Sequence, residues 1–255
     1  MAIRTRRRST LKQAVANNAP PTPADAAAVW WADDIAQADG SQVATWTDRV
    51  NSNIVAQATG GDQPMFDVDG VGGRASVNFT AGDFMALLAT NPVSTSLSGC
   101  VVAVAKQSAV SGFQVMWSTS LTADSDSYMD DYTDYDAFGF QGAPNSSGWY
   151  SQGYTMTTND HVREVSSVGI GTDWTLRINN SVISTNGGGV SSKRGTWFGN
   201  ITRDRFTFGR LTYAGGTYPW TGRLAYFGVF NSSLSAQDRT NLYNWIENYY
   251  GISIP

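Results

Sequence analysis

Six aspartates fall within the thirteen residues Asp124 to Asp136. Carboxylates this dense suit a hard, oxygen-seeking cation, which makes Asp124, Asp126, Asp130 and Asp131 candidate calcium ligands. The run lacks the glycine and the closing glutamate of an EF-hand loop, so a solvated acidic loop is the competing reading. Tyr128, Tyr132 and Tyr135 are interleaved with these acids, and Trp149-Tyr150 follow. Aromatic rings beside hydrogen-bonding groups suit recognition of a sugar or a protein surface. A second aromatic set, Tyr213, Tyr218 and Trp220, surrounds Gly215-Gly216. For every one of these rings the alternative is a place in a sheet core.

Catalytic constellations are sparse. A glycoside hydrolase needs two carboxylates flanking the scissile bond. The only glutamates, Glu164 and Glu247, stand far apart, and no Asp-x-Asp is expected within a strand. His161 is the single histidine, without a Gly-x-Ser-x-Gly elbow to accompany it. Cys100 is the single cysteine, so neither an internal disulfide nor a four-ligand zinc site of the usual types is available. Its apolar neighbours Val101 to Ala105 mark it as a buried thiol. The expectation is a protein that is not an enzyme, with calcium its only candidate cofactor.

The charge is lopsided. The net charge is −4, yet Arg4, Arg6, Arg7, Arg8 and Lys12 give the first twelve residues +5 with no acid. The rest holds 12 basic residues against 21 acidic ones, or −9. A basic arm on an acidic body implies docking on an acidic partner surface. Nucleic acid is not the expected partner, because the tract is short and carries no aromatics to stack on bases. No apolar run follows the arm, so an ordinary secretory signal is not expected, and no run approaches the length of a membrane span.

The elements that must position these residues are mostly strands. Gly and Asp are abundant and charged residues are 15% of the chain, a profile of many short strands joined by turns. Residues 1–28 read as the basic arm and a Pro-rich linker, with Asp25 to Ala28 able to form a short helical turn. From Val29 on, strand candidates are Val29–Ala32, Val43–Thr47, Ile54–Gln57, Ala75–Phe79, Phe84–Leu88, Gly99–Lys106 and Phe113–Ser118. They continue as Phe138–Gln141, His161–Val168, Trp174–Ile178, Ser181–Ser184, Arg205–Gly209 and Trp220–Phe230. Trp174, Leu176 and Ile178 alternate with Thr175 and Arg177, and Phe206 and Phe208 with Arg205 and Thr207, giving one buried and one wet face each. Asn179-Asn180 predicts a tight hairpin, since Asn tolerates φ > 0. One helix closes the chain: Ser235 is its N-cap, Leu242, Trp245, Ile246 and Tyr249 form its apolar stripe, and Gly251 is its C-cap. Two large antiparallel sheets packed face to face accommodate this number of strands.

Both ends carry a family resemblance. Val29-Trp30-Trp31-Ala32-Asp33-Asp34-Ile35, Asp39-Gly40-Ser41 and Val43 to Arg49 resemble the opening of laminin-G-like, concanavalin A-like jelly rolls. Gln63-Pro64 and Gly73 to Phe79 are similar to the next block. Gly222 to Asn231, Leu234-Ser235 and the helix into Tyr250-Gly251-Ile252 are similar to the closing strand and helix. The resemblance spans residues 29–253, is strong at the ends and is weak in the middle. Relatives carry a Ser-Gly-Asn-Gly-Asn-like turn after Trp-x-Asp where this chain has Val50-Asn51-Ser52-Asn53. The resemblance implies an all-β, two-sheet jelly-roll sandwich (residues 29–255) with one C-terminal helix. It also implies recognition of glycan or protein on secreted, cell-surface or phage-virion proteins. The expectation drawn from it is a virion component, capsid-decorating or tail-associated and homo-oligomeric, whose arm docks on other virion proteins and whose jelly roll faces outward. A free carbohydrate-binding module recognising a cell-surface glycan is the alternative, and a glycoside hydrolase a third.

Overall fold

The computed structural model describes residues 19–90, 93–109, 112–124, 127–134, 137–144, 149–155, 157–169, 174–184 and 197–255. For 127, 134, 137–144, 149–155 and 184 it describes the backbone only. The first strands are β1 (Ala26–Trp31), β2 (Thr45–Thr47), β3 (Ile54–Ala56), β4 (Met65–Val71), β5 (Arg74–Phe79) and β6 (Met85–Leu88). Next come β7 (Gly99–Gln107), β8 (Phe113–Ser120), β9 (Ser127–Asp134), β10 (Ala137–Pro144), β11 (Trp149–Thr155) and β12 (Asp160–Ser167). The last are β13 (Thr175–Ile178), β14 (Ser181–Ser184), β15 (Arg205–Phe208), β16 (Arg210–Tyr213), β17 (Gly216–Pro219) and β18 (Gly222–Phe230), before helix α1 (Ala236–Tyr250).

The strands form two antiparallel sheets. Sheet A runs β14-β13-β12-β7-β18-β5-β4, with β1 paired to the far end of β18. Sheet B runs β11-β10-β9-β8-β15-β6-β3-β2, and β16 and β17 make a separate hairpin. This is the jelly-roll sandwich that the sequence implies. Strand β7 explains why an unbroken apolar run belongs at its centre. Val101, Ala103 and Ala105 face the core between the sheets, while Cys100, Val102 and Val104 face α1 on the other side. Both faces of the strand are covered, so both need apolar side chains. Trp30, Trp46, Trp117, Phe206, Phe208 and Phe227 fill the space between sheets. Trp30 stacks on Phe206 at 5.5 Å and donates its Nε1 hydrogen to the Trp46 carbonyl at 3.2 Å.

Helix α1 closes the outer face of sheet A. Ser235 Oγ accepts from Asp238 N, and Gly251 ends the helix in the left-handed region at φ 67°. Leu242, Ile246, Tyr249 and Tyr250 pack on Val29, Trp31, Val102 and Tyr226. Gly72, at φ 56°, passes so close to the helix end that a Cβ there would lie 1.9 Å from the Tyr250 carbonyl oxygen. Beneath the helix, buried Glu164 accepts from Arg177 Nη1 at 2.9 Å, Arg239 Nη2 at 2.9 Å and Tyr243 Oη at 2.9 Å.

Several sequence expectations need correction. Ala19 packs on the helix-side core and Pro20 is buried, so the folded body takes in the end of the expected linker. Asp25 to Ala28 is not a helical turn: a turn closes with Ala26 N on Pro23 O and β1 begins at once. Within the Asp-rich segment, Ser127–Asp134 is a strand, β9, rather than a loop. The residues after Trp46-Thr47-Asp48 form a turn in which the Asp48 carboxylate accepts from the backbone N–H groups of Val50, Asn51 and Asn53.

A buried polar network joins the sheets. Arg163 of β12 donates to Asp131 of β9 at 2.5 Å, to Gln107 at 2.7 Å and, through Nε, to His161 Nε2 at 2.9 Å. His161 therefore carries its proton on Nδ1, which donates to the Asn159 carbonyl. Burial, and then the Arg163 charge, push the His161 imidazole from 6.5 down to about 3. The unfolded chain takes up this proton below about pH 6.5 and the folded chain only near 3, so the contribution of the neutral ring is lost as pH falls through that window. Relative to the native sequence, His161→Gln is expected to gain about 1.4 kcal/mol of stability per pH unit on acidification below pH 6. Denaturation midpoints at several pH values check this.

Candidate functional site

The two outer faces of the sandwich are not equivalent. Helix α1 lies across that of sheet A, whereas among the described residues that of sheet B carries the β16–β17 hairpin and no helix. Cross-strand register defines that second face. Ala56 and Thr207 both pair with Ala86, Arg205 with Leu88 and Ser120, Thr207 with Ser118, and on β8 and β9 Ser118 pairs with Asp130 and Val115 with Tyr132. Side chains that pair across neighbouring strands share a face. Two serines of β8 tether the hairpin there: Ser118 Oγ donates to the Arg210 carbonyl at 2.9 Å and Ser120 Oγ to the Thr212 carbonyl at 2.8 Å.

On one flank of the hairpin is an aromatic cluster. Tyr132 stacks on Phe113 at 4.8 Å, Phe113 meets Tyr218 edge-on at 5.0 Å, Tyr218 stacks on Tyr213 at 6.0 Å, and Tyr213 meets Tyr128 at 5.1 Å. The fold thus merges the two aromatic sets of the sequence, bringing Tyr128 and Tyr132 of β9 to Tyr213 and Tyr218 of the hairpin. Gly215 makes room for this, since a Cβ there would lie 2.4 Å from the Tyr213 ring. Tyr128, Tyr213 and Tyr218 are half-buried, and Tyr132 is buried. Tyr132 is therefore a support for the cluster and not a contact surface.

The other flank holds a groove of about 650 Å³. Ile54, Ala56, Phe84, Ala86 and Leu88 give it an apolar lining, and Arg205 and Arg210 enter beside them. Ile54 is 47% exposed and Leu88 is 69% exposed, large for aliphatic side chains in one patch. The Arg210 guanidinium lies over the Phe84 ring, 3.2 Å from its centroid. Burial, and then the charge of Arg205, push the Arg210 pKa down, with Asp62 acting in the opposite direction. Such a groove offers a flat apolar contact for the C–H face of a ring and strong donors at its rim.

Other candidates lie elsewhere. Trp220 is not a ligand contact: it is fully buried in the core against Phe79. Asp130 and Asp131 cannot share a calcium ion, because successive strand residues face opposite sides. Asp131 is turned inward to Arg163, and Asp130 is buried on the outer face. Asp124 sits in the turn before β9, and among the described residues no group of three or more His, Cys, Asp or Glu could hold a metal. An Asp-x-Asp does occur in a strand, Asp67-Val68-Asp69 of β4, but Asp67 is paired with Arg223 at 2.7 Å. Asp126, Tyr135, Arg4, Arg6, Arg7, Arg8 and Lys12 lie outside the described residues, as do the side chains of Trp149 and Tyr150. A further depression of about 400 Å³ lies beside Asn159, Asp160 and His161. Asp160 accepts from Gly72 N and pairs with Lys106, and both His161 nitrogens are bonded.

Sequence reading missed Arg210, Phe84, Phe113 and the groove itself. The available signal was the wet side of Arg205-Phe206-Thr207-Phe208, which names Arg205 as outward but not its neighbours.

No protein-family model and no curated protein sequence matches the chain. Solved structures do match in shape. A Trypanosoma rangeli sialidase in complex with sialic acid superposes on 92% of the chain with a TM-score of 0.62 at 10% identity, and the match covers 35% of that sialidase. The chain thus spans about a third of the length of that enzyme. The Ruminococcus gnavus IT-sialidase CBM40 bound to α2,3 sialyllactose matches 66% of the chain and 94% of its own length, with a TM-score of 0.52 at 14% identity. A leech intramolecular trans-sialidase complexed with 2,7-anhydro-Neu5Ac matches 69% of the chain and 28% of its own, with a TM-score of 0.54 at 14% identity. At these identities the likenesses establish the fold, a two-sheet jelly-roll sandwich, and nothing finer.

Proposed function

We propose that the chain is a carbohydrate-binding module that holds its glycan, without cleaving it, on the outer face of sheet B. The carrying observation is the asymmetry of the two outer faces: helix α1 covers that of sheet A, while that of sheet B keeps an exposed apolar groove rimmed by guanidinium groups and a hairpin of tyrosines. Rings and aliphatic side chains take the apolar faces of sugars, and fixed polar groups take the hydroxyls. The laminin-G-like ends of the sequence support the same reading. So do the similar folds, two of them described as bound to sialic acid or sialyllactose. A non-catalytic role fits the engagement of Glu164 by two arginines and of Asp67 by Arg223.

A glycan array with the full-length protein tests this. Leu88→Glu places a charge on the groove floor at a position 69% exposed, so folding tolerates it. It is expected to weaken glycan binding by at least about tenfold, about 1.4 kcal/mol. Val68→Glu, at a 48% exposed site on sheet A, is expected to leave binding unchanged. Equal binding by the Leu88 variant, or no glycan bound by folded protein, would contradict the proposal.

A second role rests on the basic arm. Arg4, Arg6, Arg7, Arg8 and Lys12 would attach the module to a larger assembly, a phage particle in the reading the family resemblance implies. Deleting residues 2–18 is then expected to abolish incorporation while leaving glycan binding intact.

A further inference from the structure

We infer that the groove is selective for a carboxylate-bearing sugar, with Arg205 and Arg210 clamping its acid group. This rests on the glycan-binding reading and narrows it to a ligand class. Three observations carry it. First, the two guanidinium groups line one groove, Arg205 from β15 and Arg210 from the start of β16, and the charge of Arg205 disfavours that of Arg210. An anion bound between them would offset this mutual repulsion.

Second, the Nη atoms of both arginines have no hydrogen-bond acceptor among the described residues and, unlike the two Nε atoms, are not sealed off by the protein. The acids nearby do not fill this role. Asp204 stands 3.5 Å from Arg205 Nε, too far for a good hydrogen bond, and its Oδ1 is engaged by Thr122 N and Thr122 Oγ1. Asp62 acts on Arg210 through its field, with no ion pair between them. The unfilled Nη pair of a guanidinium suits the two oxygens of a carboxylate, which accept two parallel hydrogen bonds from it. Third, Phe84 holds Arg210 by stacking, which fixes the plane of the fork before the ligand arrives.

The rest of the molecule selects the kind of anion. Beyond the arm the chain carries 12 basic residues against 21 acidic ones, so its field repels a polyanionic chain. One carboxylate on an otherwise neutral sugar meets the two arginines without that penalty. The apolar lining at Ala56, Ala86 and Leu88 then takes the uncharged part of the ring.

Full-length protein is titrated calorimetrically with 3′-sialyllactose, its methyl ester, lactose, and a glucuronate-terminated disaccharide. Binding of a carboxylated sugar, with the ester or the neutral sugar at least tenfold weaker, is the expected result. Whichever of the sialic or uronic acid binds identifies the source of the carboxylate. Arg210→Lys, which keeps the charge and loses the fork, is expected to weaken binding several-fold, and Arg210→Gln to abolish it. Equal affinity for ester and acid would overturn the carboxylate clamp while leaving the glycan-binding reading intact, and this comparison needs no variant to fold. Carboxylate-dependent binding unchanged in Arg210→Gln would overturn the assignment to this groove. Failure of every sugar here, neutral ones included, together with an empty glycan array, would remove both.

Discussion

Replacing Arg163 with methionine is expected to destabilise the chain by about 3–5 kcal/mol, the cost of leaving a buried charge without its partner. Arg163 is 1% exposed and reaches from sheet A across the core to Asp131 of sheet B, while also bonding Gln107 and His161 of its own sheet. Burial already pushes the Asp131 carboxyl up to about 6 against the pull of Arg163. Without the arginine, that carboxylate must take up a proton or remain ionised in the core. Gln107 Oε1 would keep only its bond from Thr133, and His161 Nε2 would lose its donor. Removing both charges in Arg163→Met/Asp131→Leu is expected to recover most of the loss, because an apolar pair of similar volume needs no desolvation. Urea denaturation of the wild type, both single variants and the double variant closes the cycle. Additive losses in the double variant would show that the two groups act independently.

The second large effect concerns the seal on sheet A. Glu164→Ala is expected to cost about 2–4 kcal/mol, since it removes charge-assisted hydrogen bonds from Arg177, Arg239 and Tyr243 at once. The loss stays below that of a fully enclosed pair because the arginine side chains are 17% and 20% exposed and can regain water. Loosening of α1 has its own reporter. Cys100, the only cysteine, lies beneath the helix, and burial pushes its thiol well above the usual range. In the variant its reaction with a disulfide reagent is expected to accelerate in parallel with amide exchange in Ala236–Tyr250. Unchanged thiol reactivity would mean that Glu164 does not hold the helix down.

Much of the fold was legible because its signals are local. The caps of α1 at Ser235 and Gly251 lie where the residue types placed them, and Asn179 and Asn180 adopt positive φ at the tight hairpin. The alternation of Phe206 and Phe208 with Arg205 and Thr207 gave the inner face correctly, but the outer face is not wet throughout, since Thr207 is buried. Strand β9 was harder. Its acids suggested a loop, yet Tyr128, Asp130 and Tyr132 alternate with Met129, Asp131 and Thr133 as a strand requires. Asp131 belongs in the core only because Arg163, 32 residues away, is there to meet it. The groove was illegible for the same reason. Ile54, Leu88 and Arg205 come from β3, β6 and β15, which only the order β15-β6-β3 in sheet B brings side by side, while Phe84 precedes β6 and Arg210 opens the separate β16–β17 hairpin. Trp220 sits among glycines and tyrosines that mark a surface hairpin, but it leads into β18 and turns into the core.

The most direct test of the central claim is an amide chemical-shift map of the isotope-labelled full-length chain during titration with 3′-sialyllactose. The account predicts saturable shifts confined to Ile54–Ala58, Phe84–Leu88 and Arg205–Tyr213, with helix α1 and sheet A silent. Shifts centred on the depression at Asn159 to His161, or on the turns at the ends of the sandwich, would contradict it.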